Sequence, residues 1–410
     1  MQQLYVERIM NLEQKYLKKT GLIALITMLS MIPPLSTDLY MPALPEMTVY
    51  FNTSSTFMSL TMTVFFVFLA VGILVFGPMS DKHGRKPILI MCISISLVFS
   101  AVCAFSPNIS FLLVSRAISA FGAGGMVSVA TALIKDSFEG KEMSTVLSLT
   151  QAFGLLAPVL APLLGALILK LADWKMTFIV LASLTALSLI GAILLKETLP
   201  APKRNQGSII QSISGLGRVS KNVSFTTLLL VGALIAAPYM AYLAVASYVY
   251  IDSFGVSETT FSIYFAFNSC AAILGPVMYM RFGAGSVKKT INFGILIAII
   301  SAILILSVGN TGPIIFFLSY VIYSIVVTYI RPLISDLLLS STKTDIGAAS
   351  SVINFGFTVI GSIGMIIGSL KWGSYIGGLA TTMLIFAVFT IIMWIFLLKS
   401  KSITFDWKQK

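Results

Sequence analysis

Long apolar runs, broken at short intervals by clusters of charge or by proline and glycine, fill almost the whole chain. Twelve runs stand out, near residues 21–42, 56–77, 87–106, 110–134, 143–170, 174–195, 224–250, 257–280, 290–309, 313–340, 345–370 and 374–398. Each reaches or approaches the roughly 20 residues that an α-helix needs to cross a hydrocarbon core. Backbone in hydrocarbon must find its hydrogen bonds within its own helix, so these runs are read as helices and the charged breaks as turns. The pattern predicts an all-α membrane protein with twelve transmembrane helices in two six-helix bundles. The longest polar stretch, 196–222, carries Pro200, Pro202, Lys203, Arg204, Arg218 and Lys221. It divides the chain into an N-terminal segment 1–20, a bundle 21–195, a linker 196–222, a second bundle 223–399 and a tail 400–410.

Composition sharpens this picture. Hydrophobic residues make up 57% of the 410 and charged residues 10%, against about 25% charged in ordinary soluble domains. A net charge of +12 raises the idea of a nucleic-acid partner. The basic residues lie in short clusters between apolar runs, not on one amphipathic face, and nucleic acid is excluded. They report orientation instead. Arg8, Lys15, Lys18, Lys19, Lys82, Arg85, Lys86, Lys135, Lys141, Lys196, Lys203, Arg204, Arg218, Lys221, Arg281, Lys288, Lys289, Lys343, Lys399, Lys401, Lys408 and Lys410 all fall on the side of the termini. Only Lys170, Lys175 and Lys371 fall on the opposite face. Lysine and arginine stay cytoplasmic, so both termini are expected inside. Residues 1–20 lack the short apolar core and small-residue cleavage site of a signal peptide, which leaves insertion to the first helix. Cys92, Cys103 and Cys270 lie in apolar runs without paired spacing and read as packing residues, so neither a metal nor a cofactor is expected.

Charge within a span costs at least about 2.5–3.5 kcal/mol, which makes intramembrane charges functional suspects. Four remain: Asp38, Arg116, Arg331 and Asp336. At 1.5 Å per residue, Asp38 lies about 25 Å along an outward-going helix and Arg116 about 9 Å below the outer face. The two share a depth and could pair, each offsetting the other's desolvation. A carboxylate wetted from alternating sides could load and release a proton, with Asp38 and Arg116 as the coupling pair. Arg331 and Asp336 lie about 27 and 35 Å along the tenth span. They read as snorkelling or interfacial groups beside a kink at Pro332. At mid-depth, Gln151, Asn268 and Asn354 carry amides that are costly to leave unsatisfied, and Tyr239 and Tyr242 follow a break at Pro238. With Asp38 and Tyr40, these are the candidate substrate-binding residues.

The charged turn Gly77-Pro78-Met79-Ser80-Asp81-Lys82-His83-Gly84-Arg85-Lys86 is read as a tight loop between the second and third spans. Asp81 is expected to cap a helix N-terminus, and Arg85 and Lys86 to meet acidic groups or lipid phosphates. His83 reads as a solvated loop residue. A fainter copy, Arg281–Lys289, follows the eighth span without the aspartate. It suggests parallel repeats with a substrate site near mid-bilayer.

The Gly77–Lys86 spacing resembles the loop after the second helix in the major facilitator superfamily. Pro34-Leu35-Ser36-Thr37-Asp38-Leu39-Tyr40-Met41-Pro42-Ala43-Leu44-Pro45 looks like the end of the first helix in its Bcr/CflA drug-resistance branch. Arg116-Ala117-Ile118-Ser119-Ala120-Phe121-Gly122-Ala123-Gly124 resembles the fourth-helix motif, with Ser119 and Ala120 where the superfamily has Gln-Gly. The run from Gly154 to Gly165, with Pro158 and Pro162, resembles the fifth-helix antiporter motif, although Ala157 replaces the glycine before Pro158. Its prolines imply a helix bend.

The resemblance implies a proton-coupled multidrug antiporter of the bacterial inner membrane. It would export small, mostly apolar or neutral drugs of chloramphenicol or bicyclomycin type and confer antibiotic resistance. Gly77, Asp81, Gly84, Arg85 and Lys86 would form the gate loop. The implied partners are drug, protons and membrane lipids, and the chain is expected to act as a monomer. Members of the branch carry a second acid before the first-helix aspartate. Here Ser30 stands two turns before Asp38, which implies weaker recognition of lipophilic cations. A dedicated exporter of one endogenous metabolite is the alternative on the same scaffold. An embedded enzyme would need clustered His, Asp or Cys, a channel would need rings of polar residues, and an ATP-driven pump would need a phosphate-binding loop. None is present in the sequence, and the chain reads as a secondary transporter rather than an enzyme.

Overall fold

Apolar length and a few capping residues account for the helices. The structure, a computed structural model, describes residues 14, 16–204, 217, 219–283, 285–341 and 346–400. Arg8, Lys15, Arg218, Lys343, Lys401, Lys408, Lys410 and most of the linker lie outside the described residues. The first span is α1 (Lys18–Asp38), continued by a 3-10 turn at Met41–Ala43 and by α2 (Leu44–Tyr50). The next five are α3 (Ser55–His83), α4 (Arg85–Ala104), α5 (Ile109–Ser137), α6 (Gly140–Leu171) and α7 (Lys175–Leu194). Then follow α8 (Val223–Ser247), extended by a π-helical turn at Tyr248–Ser253, α9 (Glu258–Phe282), α10 (Val287–Val308), α11 (Pro313–Ser341), α12 (Ile346–Gly368) and α13 (Tyr375–Lys399). Among the described residues, twelve spans are long and apolar enough to cross a membrane, and the expected all-α architecture is what they adopt. Asn108, Asn222, Ser257 and Ser374 cap α5, α8, α9 and α13, each side chain accepting a backbone N–H of the first turn.

The charged stretch at 77–86 departs from its sequence reading. It is not a loop: α3 runs on to His83, Gly84 alone breaks the helix, and α4 begins at Arg85. Gly84 has φ 102°, a conformation that only glycine adopts without strain. Lys82 and His83 occupy the last turn of α3, where positive charge suits the helix dipole. Charge marked a boundary correctly, but that boundary is one residue long.

The chain forms two compact units. One comprises Met1–Tyr40 and Phe68–Gln211, the other Met41–Val67 and Ser212–Lys410. Within the first, α1 packs on α5, α6 and α7, and α4 packs on α5 and α7. Within the second, α8 packs on α11, α12 and α13, and α10 on α11 and α13. Counted as spans, both units pair first with fourth, fifth and sixth, and third with fourth and sixth. The internal echo suspected from the 281–289 stretch is thus present as a repeated packing scheme. The second unit also takes in residues 41–67, which the sequence boundaries placed in the first bundle. Hydrogen bonds fix them there: Thr48 Oγ1 with Tyr248 Oη at 2.8 Å, Ser59 Oγ to the Ala244 carbonyl at 2.9 Å, Tyr375 Oη to Ser55 Oγ at 3.1 Å, and Thr56 to the Ser369 carbonyl.

Close helix approach depends on glycine at a few positions. A side-chain carbon on Gly124 would strike the Leu69 carbonyl oxygen, and one on Gly72 would strike that of Phe121, so α3 and α5 meet backbone to backbone. Gly154, expected to serve the same purpose in α6, has open space where a side chain would go. We therefore predict that Gly124→Ala destabilises the fold by about 1–3 kcal/mol, while Gly154→Ala stays within about 0.5 kcal/mol of wild type. Thermal unfolding of the detergent-purified variants reads both, and equal melting temperatures would contradict the packing assignment.

Candidate functional site

Asp38 is the last residue of α1 and is 5% exposed. Its Oδ1 accepts a hydrogen bond from Thr37 Oγ1 at 2.8 Å, and Thr37 also donates to the Pro34 carbonyl at 3.0 Å. Among the described residues Asp38 makes no ion pair. The direct Asp38–Arg116 pair that the shared depth suggested does not form, and Arg116 meets Tyr40 instead. Arg116, 1% exposed, donates from Nη2 to Tyr40 Oη at 3.5 Å. Its guanidinium carbon also stands 4.8 Å from the centroid of the Tyr40 ring and 5.8 Å from that of Phe178. Trp174 packs edge-on to Phe178 at 6.1 Å. An aromatic box of this kind accepts a buried cation through its ring faces. Phe178 and Trp174 carried no sequence signal beyond aromaticity near a span end.

At the opposite end of the same unit, Arg85 is the hub of a charged cluster and is 7% exposed. Its Nε donates to Asp136 Oδ2 at 2.8 Å, and its Nη1 donates to Ser80 Oγ at 2.8 Å and to Asp81 Oδ1 at 2.5 Å. Asp81 therefore pairs with Arg85 rather than capping a helix. The cap on α4 is Glu197, whose carboxylate accepts the backbone N–H groups of Arg85 at 2.9 Å and Lys86 at 3.2 Å. Lys86 Nζ reaches the Ile193 carbonyl at 2.7 Å. Gly84 is held against Glu197 and Arg204, where a side chain would collide. Asp136 and Glu197 were missed in the sequence. Their signal was an acid placed beside a lysine at each span end.

In the second unit, Tyr239, Met240, Thr328, Arg331, Phe357 and Thr358 line a cavity of about 60 Å³ between α8, α11 and α12. Tyr242 does not join Tyr239 there. It is 1% exposed and stacks on Tyr320 at 4.2 Å within an aromatic core that includes Phe265. Asn268 is 1% exposed, and its Oδ1 accepts from Ser324 Oγ at 2.8 Å. Its amide nitrogen has no hydrogen-bond partner among the described residues.

Comparison with known proteins decides the family. The profile of the Major Facilitator Superfamily matches residues 24–365. The chain belongs to the Major Facilitator Superfamily. It is 33% identical over 352 residues to the MFS-type transporter YdgK of Bacillus subtilis (strain 168), covering 84% of this chain and 88% of that protein. It is 26% identical over 276 residues to the bicyclomycin resistance protein homolog of Haemophilus influenzae, covering 65% and 67%. It is 30% identical over 190 residues to the multidrug resistance protein MdtL of Escherichia coli O45:K1, covering 44% of the chain and 49% of that protein. In fold it matches the crystal structure of a D-xylose–proton symporter with a TM-score of 0.73 at 13% identity, over 95% of this chain and 99% of the symporter. The protein is therefore a multi-pass membrane transporter.

Further expected residues lie on α3, α6 and α12. Gln151 is exposed on α6, and the exposed Asn354 returns its Nδ2 to the Ser350 carbonyl at 3.0 Å. Pro158 and Pro162 lie inside α6, which continues unbroken from Gly140 to Leu171; Pro162 and Gly165 are buried. Gly77 faces Ser128 Oγ across to α5. The geometry generates a prediction at the charged cluster. Arg85→Ala strips the counter-charge from Asp136 and Asp81 and should destabilise the fold by about 3 kcal/mol. Arg85→Lys, which keeps the charge but lacks the guanidinium's planar fork, should fall between. Equal melting temperatures for the three proteins would show that the cluster does not hold α3, α4 and α5 together.

Proposed function

We propose that the protein exports small, largely apolar or neutral drugs of chloramphenicol or bicyclomycin type from a bacterial cell in exchange for protons. It sits in the cytoplasmic membrane with both termini inside and acts as a monomer among membrane lipids. The observation that carries the reading is the environment of Asp38: a buried carboxyl whose partner is a hydroxyl. A fixed cation would favour one protonation state throughout a cycle. Thr37 Oγ1 can donate to a carboxylate or accept from a carboxylic acid, so Asp38 can be held in either state. The names of two relatives, a multidrug resistance protein and a bicyclomycin resistance homolog, support the drug reading.

In this cycle Asp38 takes a proton from the outer side, and the conformational change carries it inward. Release of the proton and capture of drug then accompany each other. Arg116, boxed by Tyr40 and Phe178, braces Tyr40 two residues beyond Asp38 and does not pair with the carboxyl. The Arg85 cluster holds the cytoplasmic ends of α3, α4 and α5 in one arrangement. One inward proton at 100 mV releases about 2.3 kcal/mol, enough for roughly a fiftyfold substrate gradient.

Drug-susceptibility profiling tests the proposal. Cells making wild-type protein should show raised resistance to chloramphenicol or bicyclomycin. Cells making Asp38→Asn should fall to the level of cells without the transporter while holding equal amounts of protein in the membrane. Arg116→Ala should impair efflux more than Arg116→Lys. Full resistance in Asp38→Asn removes that residue from coupling, and one strongly preferred physiological solute without drug resistance would favour a dedicated metabolite exporter.

A further inference from the structure

The cavity in the second unit contains a charge that no proton-coupling role has absorbed. Arg331 is exposed, and it lines the cavity together with Tyr239, Met240, Thr328, Phe357 and Thr358. Its guanidinium carbon stands 5.4 Å from the centroid of the Phe357 ring. Among the described residues no carboxylate lies within ion-pair distance of it. The nearest acid on its own helix, Asp336, is turned by about 140° around α11. Asp336 is engaged elsewhere, accepting the Tyr279 hydroxyl of α9 at 2.5 Å.

The place of Arg331 along its helix agrees with the sequence reading: α11 ends at Ser341, so Arg331 lies about 27 Å from the helix start and about 15 Å short of its end. A charge at such depth requires water, a partner or a ligand. Stacking on Phe357 satisfies only the face of the guanidinium and leaves its in-plane N–H fork available for a planar oxyanion. The apolar wall from Met240, Val327 and Phe357 is suited to the hydrocarbon part of the same molecule.

We propose that this cavity is an anion-recognising subsite, in which Arg331 binds the carboxylate or similar compact oxyanion of a small apolar solute. The inference rests on the exporter reading and narrows its substrate class. It predicts that acidic and strongly hydrogen-bond-accepting molecules are preferred over isosteric amides, and that lipophilic cations are rejected by like charge.

The test uses full-length protein purified in detergent, with 1-naphthoate, 1-naphthamide and 1-naphthylmethylammonium as size-matched probes in isothermal titration calorimetry. Wild type should bind naphthoate about ten- to hundredfold more tightly than the amide, and the ammonium should not compete. Arg331→Gln should erase the preference. Arg331→Lys, which keeps the charge but not the fork, should reduce it several-fold. Failure of wild type to prefer naphthoate overturns the proposal without reference to any variant. So does an unchanged preference in whichever of the two variants elutes as a monodisperse folded species. Binding in detergent needs no proton gradient, so the naphthoate preference is read independently of coupling. Failure of proton coupling in cells and failure of anion recognition in vitro are therefore separate results.

Discussion

Hydrocarbon offers no hydrogen bonds, and this one constraint governs where every polar group of the protein is found. Many hydroxyls inside the spans return to their own helix: Ser36 to the Ile32 carbonyl at 2.7 Å, Thr150 to Val146 at 2.8 Å, Ser319 to Ile315 at 2.7 Å and Thr390 to Phe386 at 2.7 Å. Such back-bonding makes a polar residue nearly neutral at a buried or lipid-facing position. Charges have no such local solution. Arg85 is held by two carboxylates, Arg116 by a phenol and aromatic faces, and Arg331 by a ring face beside an open cavity. The three arginines mark three different ways of satisfying a guanidinium in this largely apolar chain.

The same constraint explains what the sequence could reveal. Span positions were legible because each helix must be about 20 residues long and apolar. The observed helices accordingly begin and end close to the hydropathy breaks, as with α4 at Arg85–Ala104 against 87–106. Facing was far less legible. In a soluble protein the apolar stripe tells which side is inside, but lipid is as apolar as a protein core, so that signal vanishes. Gln151 and Asn354 illustrate the loss: both were read as cavity amides and both are exposed, a property that lipid-facing and cavity-facing positions share. Tyr239 and Tyr242, only three residues apart on α8, part company between a cavity wall and a tyrosine core.

The stretch at 77–86 shows a different limit. Its density of charge correctly signalled the boundary between two helices, yet a helix can carry charge up to that boundary when its last turn suits positive side chains. Only the glycine needed a non-helical backbone. The acids that complete the cluster, Asp136 and Glu197, come from 51 and 112 residues beyond Arg85. Their contribution depends on tertiary packing that no local pattern encodes. What was readable was the demand for acidic partners; their identity was not.

The two units divide the chemistry unequally despite sharing a packing scheme. The first carries the carboxyl of Asp38 and the boxed cation of Arg116; the second carries tyrosines, a buried asparagine and a cavity-lining arginine. In the proposed reading a lipophilic cation would meet Arg331, and the first helix would offer it one acid, Asp38, with Ser30 two turns before it. Both features act in the same direction on charged cargo, although they arise from different helices. A neutral or acidic solute avoids both penalties: it places no positive charge near Arg331 and makes no demand for an additional carboxylate. Its export would leave Asp38 free to serve the proton alone, which separates the ion site from the cargo site in both position and chemistry.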